Sequence, residues 1–196
     1  MSTASRGSRL VVPLGLGASA ALLTGLYAGL VRAPADAVQG EVQRIMYLHV
    51  PTVLVAYLAF AVVFVGSIAY LLTRREGWDI LAHASAEIGV LFAALTIAAG
   101  AIWGKPTWGT WWTWDARLTS TALLFVIYLG YLLLRSVVDD PERAATLAAV
   151  LGIVGTLDVP IIHFSVEWWR TLHQPSSMLK PQAPSIDRTM LVALLV

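Results

Sequence analysis

M-Y-L-H-V-P-T-V-L-V-A-Y-L-A-F-A-V-V-F-V-G-S-I-A-Y-L-L, residues 46–72, is the stretch whose reading decides the fold. No Asp, Glu, Lys or Arg interrupts it, and it exceeds the roughly 20 residues that a helix needs to cross a bilayer. Proline is tolerated in the first turn of a helix, where its missing N–H would lack a partner anyway. Pro51 therefore resolves the excess length: residues 52–72 make the crossing, and His49 sits just outside its entry. Similar apolar runs occupy residues 10–31, 87–103, 118–134 and 144–164, and a sixth begins at Thr189. Arg6 and Arg9 precede the first run as in a cleaved signal peptide, but about 22 residues exceed the usual apolar region of such a peptide. It reads as a retained span. The sixth run stops at Val196 after eight residues, about 12 Å of helix, and is expected to be a truncated span.

Composition agrees. The chain has 196 residues, 58% hydrophobic and 13% charged, with mean hydropathy +0.73; a soluble domain is closer to a quarter charged. The expectation is an all-α integral membrane protein, a bundle of six transmembrane helices forming a single membrane domain over residues 1–196. Net charge is +1, with Lys and Arg scattered, which speaks against nucleic acid as a partner. Cysteine is absent. Disulfides, thiolate ligands and thiol redox chemistry are thereby excluded, and histidines, carboxylates, cations and aromatics remain. With the N-terminus cytoplasmic, alternation puts Arg6, Arg9, Arg74, Arg75, Arg135 and Arg143 inside, and Arg32, Arg44, Lys105, Arg117, Arg170, Lys180 and Arg188 outside. A bare count gives no positive-inside signal, and surplus outer cations suit a surface that binds an anion.

Tryptophan separates this sequence from a generic membrane protein. Five of eight Trp fall between Trp103 and Trp114, and Trp168 and Trp169 lie in the other long outer segment. Interfacial Trp is common, because indole joins an apolar body to one N–H donor. That accounts for one or two per boundary, not for such density beside Gly104, Pro106 and Gly109, which are expected to prevent a simple helix. The expectation is an extracytoplasmic loop over residues 104–117 offering a flat aromatic shelf to a large planar ligand, with a second outer loop over residues 165–188. Asp115, at a loop–helix junction, is expected to cap the fourth span. Asp158 is the one carboxylate well inside a span, two residues before Pro160.

The stretch Trp108-Gly109-Thr110-Trp111-Trp112-Thr113-Trp114-Asp115-Ala116-Arg117-Leu118-Thr119-Ser120 resembles the WWD signature of the haem-handling protein family, and within it the cytochrome c maturation protein C group. Met46-Tyr47-Leu48-His49-Val50-Pro51 and the block from Pro160 to Gln174, P-I-I-H-F-S-V-E-W-W-R-T-L-H-Q, agree with that group as well. The resemblance covers nearly the whole chain and departs only at the short sixth run. It implies a multi-pass protein of the bacterial inner membrane, N-terminus cytoplasmic, that binds haem b transiently and non-covalently at the periplasmic face. Delivery would be to a periplasmic haem chaperone, the E component, beside ABC transporter subunits and a small D component.

By the same resemblance His49 and His173 are axial ligands of the haem iron, and two imidazoles complete its coordination. Trp108, Trp111, Trp112 and Trp114, with Asp115, make up the haem-presenting loop. Arg44 and Arg117 are candidates for the anionic propionates, which a planar guanidinium bonds bidentately. His163 reads as a structural histidine and His83 as one on the inner side. The role implied is binding and transfer rather than catalysis. Two other readings compete. A haem lyase relative would be larger, and a haem or solute exporter permease would carry polar residues along the bilayer midplane, whereas here they gather at one face.

Overall fold

The computed structural model describes residues 4–174 and 186–195. Lys180 and most of the second half of the expected 165–188 loop lie outside the described residues. The helices are α1 (Ala4–Tyr27), α2 (Met46–Thr73), α3 (Glu76–Trp108), α4 (Ala116–Val137), α5 (Pro141–Thr156), α6 (Asp158–Trp168) and α7 (Arg188–Leu195). Among the described residues five stretches are long and apolar enough to cross a membrane: Leu10–Arg32, Glu41–Thr73, Glu76–Trp108, Ala116–Val137 and Pro141–Trp168. The protein is an all-α, multi-pass integral membrane protein.

The chain divides into two compact units, Met1–Leu48 with Ser177–Val196, and His49–Ser176. In the first, α1 runs into a π-turn at Ala28–Arg32, and a 3-10 turn at Glu41–Ile45 leads into α2. Gly29 is required by close approach: a Cβ there would stand 2.5 Å from Cγ of Tyr47. The Gln43 amide donates to the sulfurs of Met46 (3.3 Å) and Met190 (3.9 Å). Asp187 accepts from the N–H groups of Thr189 (2.8 Å) and Met190 (3.3 Å) at the start of α7.

In the second unit α4 packs against α3, α5 and α6, around a core that includes Phe60, Val63, Ala86, Tyr128, Tyr131 and Ile162. Helices surrounded by lipid gain no hydrophobic drive from meeting one another, so close packing of small residues has to hold them. Gly89 of α3 lets the Phe60 ring of α2 in, for a Cβ would lie 2.4 Å from its Cε1. Phe60 in turn stacks on Tyr128 of α4 at 4.0 Å between centroids, and the Tyr128 hydroxyl donates to the Gly152 carbonyl of α5 at 2.9 Å. Elsewhere in this unit, Arg135 clasps Asp79 through two bonds of 2.6 and 2.7 Å. Both side chains are largely shielded, which strengthens a bidentate pair.

Three boundaries differ from the sequence reading. α2 starts at Met46, so His49 lies inside the helix; the 3-10 turn supplies acceptors for the Met46 N–H, and the helix runs on through Pro51, which has no N–H to donate to the Tyr47 carbonyl. α3 is 33 residues long, about 50 Å, because hydropathy marks the part that fits hydrocarbon and not the helix ends. It passes through Gly104 and Pro106 to Trp108 and stops at Gly109, whose φ of 80° is the left-handed cap. The expected 104–117 loop is therefore non-helical only over 109–115. Finally, the fifth crossing is two helices, broken at Leu157. Pro160 has no N–H for the Thr156 carbonyl and its ring crowds that oxygen, so α5 ends at Thr156.

Candidate functional site

The site is assembled where α2 begins, α3 ends, α4 begins and α6 gives way to the segment that carries His173, all within the His49–Ser176 unit. His49 is seated on α3 between two residues one turn apart. Its ring meets Trp103 edge-on at 5.8 Å between centroids, and a Cβ on Gly100 would stand 3.0 Å from its Cε1. Thr96 donates to the Thr52 hydroxyl at 3.0 Å, tying α3 to α2 one turn along. Nδ1 of His49 is buried without a hydrogen-bond partner.

His173 approaches from the other side of the chain. Trp108 meets its ring edge-on at 5.8 Å, and Nδ1 is 3.2 Å from Nη1 of Arg117 and 3.0 Å from the Gln174 carbonyl oxygen. Burial and then the Arg117 charge hold its pKa below the ordinary 6.5, so the ring stays neutral, the form that binds metals. His49 and His173 lie within electrostatic reach of each other, and the Arg117 charge reaches both.

Arg117 is fixed in the first turn of α4 by groups on α6: the carbonyls of His163 (2.8 Å) and Ile162 (3.2 Å) and the hydroxyl of Ser165 (3.4 Å). Asp115 caps α4 as expected, one oxygen accepting from Leu118 N–H at 2.9 Å. Its second oxygen accepts from Leu172 N–H at 3.1 Å, next to His173.

The tryptophans divide. Trp103 and Trp108 face the two histidines. Trp112 is half-buried, its indole N–H without a partner, and packs edge-on with Trp114 at 5.5 Å. Trp111 and Trp114 are 57% and 78% exposed, and Trp168 and Trp169 are exposed as well. The structure thus brings together His49, His173, Trp108, Asp115 and Arg117. Arg44 belongs to the other unit, where its guanidinium pairs with Glu41 and donates to the Gly29 carbonyl at 3.1 Å. His163 offers Arg117 its carbonyl, while its ring packs on Phe164. His83 stands 3.7 Å from Glu87 on the same helix. Sequence reasoning missed Trp103, Gly100 and Ser165 as parts of the site. Gly100 and Trp103, at i and i+3 on an apolar helix, were the available signal for a seat.

Fold and site define a multi-pass helical membrane protein with a paired-histidine, tryptophan-walled site at helix ends. The chain matches the Heme exporter protein C family model over residues 2–196 and belongs to that family. It is 46% identical over 175 residues to Heme exporter protein C of Bradyrhizobium diazoefficiens, covering 89% of this chain and 66% of the relative. The protein of the same name from Haemophilus influenzae is 45% identical over 172 residues, 88% of this chain and 70% of the relative. A mitochondrial protein of Marchantia polymorpha, named for cytochrome c biosynthesis, is 42% identical over 167 residues, 85% of this chain and 70% of its own length. The chain spans about two thirds of the length of these relatives.

Proposed function

We propose that this protein holds haem b non-covalently between His49 and His173 and passes it to a periplasmic haem chaperone in the making of c-type cytochromes. The carrying observation is that two imidazoles from remote elements, His49 on α2 and His173 beyond α6, both pack edge-on at 5.8 Å against tryptophans near the end of α3, Trp103 and Trp108. The donor set fits that cargo. A haem iron already has four pyrrole nitrogens and asks the protein for at most two ligands. Among the described residues no three His, Asp or Glu gather as a bare metal ion would need. Trp103 and Trp108 supply aromatic walls, Arg117 a fixed cation for a carboxylate, and exposed Trp111 and Trp114 a surface for the planar ring or for the protein that receives it.

On this reading the tryptophan end faces the periplasm, the N-terminus is cytoplasmic and the membrane is the bacterial inner membrane. The working partners are the chaperone, ABC transporter subunits and a small D component. The chain's own residues bind, orient and release the cargo.

The experiment is a haemin titration of the purified protein followed by absorption. A low-spin six-coordinate spectrum is expected, turning five-coordinate or haem-depleted in His49→Ala and His173→Ala and partly restored by imidazole. A double variant that retains the full low-spin spectrum removes both histidines from the site and the reading with them.

A further inference from the structure

We propose that Asp115 is a positioning residue for His173, tying the tryptophan segment to the second histidine. The inference rests on reading His173 as an iron ligand and deepens it. Both carboxylate oxygens of Asp115 are already given to backbone donors, one to Leu118 N–H at 2.9 Å and the other to Leu172 N–H at 3.1 Å. The first bond caps α4 and thereby fixes where the carboxylate points. The second falls on the residue that immediately precedes His173. That segment has no regular secondary structure; its other described backbone ties are local, from Trp169 N–H to the Ser165 carbonyl at 2.9 Å, from the Thr171 hydroxyl to the His173 carbonyl at 3.1 Å and between His173 Nδ1 and the Gln174 carbonyl at 3.0 Å. Bonds to an ionised acceptor are stronger than neutral ones, so the clamp is a firm link between two elements distant in sequence.

Charge argues in the same direction. A carboxylate turned towards an anionic cargo would repel it, whereas one turned to backbone N–H groups is satisfied and out of the way. Asp115 therefore acts through His173 rather than on the cargo. Trp108, which packs edge-on against the same imidazole, and Asp115 hold His173 from the two ends of the 109–115 segment.

The test uses the full chain in detergent, with and without haemin. Asp115→Asn keeps one acceptor for Leu118 N–H, and Asn caps helices about as well as Asp; its NH2 group cannot accept from Leu172. Without haemin, amide exchange in residues 168–174 should quicken about tenfold while the rest of the chain is unchanged. With haemin, affinity should fall about tenfold with a high-spin component, and added imidazole should restore the low-spin form, as direct loss of a cargo contact would not allow. Leu172→Pro removes the same N–H with Asp115 intact and should reproduce both effects, which covers a failure of Asp115→Asn to accumulate. Wild-type exchange in residues 168–174, or a wild-type low-spin spectrum, in either variant overturns the proposal. If the unaltered protein binds no haemin, the haem reading fails while the exchange comparison still decides the clamp.

Discussion

At His173 two neighbours make opposite demands on Nδ1. A guanidinium only donates and a carbonyl only accepts, so Nδ1 must be bare to meet Arg117 at 3.2 Å and protonated to meet Gln174 at 3.0 Å. With Arg117 donating, the neutral ring carries its proton on Nε2, and a protonated nitrogen cannot ligate. With Gln174 accepting, Nε2 is bare and ready. Arg117→Gln removes the stronger donor, so the Nδ1–H tautomer should gain population in nitrogen-15 histidine spectra. Its titration midpoint should also rise, because the Arg117 charge is, after burial, what holds it down. The sign follows from a folded value below the unfolded one: stability is complete above about 6.5 and is lost as pH falls towards the folded value. An unchanged midpoint and tautomer ratio would count against this account. His173, Arg117 and Asp115 were all legible as residues of a signature. Their contacts were not, since no spacing rule tells that residues on α4 and beyond α6 will share a nitrogen.

Among the elements, glycine decides where helices touch. Gly89→Ala puts a methyl 2.4 Å from Phe60 Cε1, a ring already stacked on Tyr128, so α2 and α3 must part. The expected loss is about 1–3 kcal/mol, read as a lower melting midpoint in detergent. Gly15→Ala, with nothing within 4 Å, serves as the matched control and should not lose stability. Equal melting of the two would remove Gly89 from the packing argument. Hydropathy found each crossing because burial in lipid writes composition, and Asp115 announced the start of α4 because a cap has its own chemistry. The extension of α3 to Trp108 was hidden. Pro106 and Gly104 weaken a helix on average, but Gly104 here accepts the Trp108 ring at 3.0 Å from a Cβ position, and Gly109 alone ends the turn.

For the whole molecule, the cysteine-free chain makes the orientation in the membrane directly measurable. Single cysteines at Lys105 and Arg170 should react with an impermeant thiol reagent in intact cells, and those at Arg74 and Asp139 only after lysis. The reverse pattern would put the site on the cytoplasmic side. Neither the division into two units nor the assignment of Arg44 to the one without the histidines was visible in the sequence. Arg44 sits five positions before His49, and nearness along the chain says nothing about which unit a side chain serves. The interruption at Leu157 carries a geometric consequence. α5 is locked into the core at Gly152 and Gly155, where added methyls would meet Val63 at 2.9 Å and Ile127 at 2.8 Å. α6 holds Arg117 and leads to His173. α6 is anchored too, with Ile162 in the core and Ser165 fully buried. The break at Leu157 therefore sets the heading of α6, and with it the places of Arg117 and His173, independently of the seat of α5.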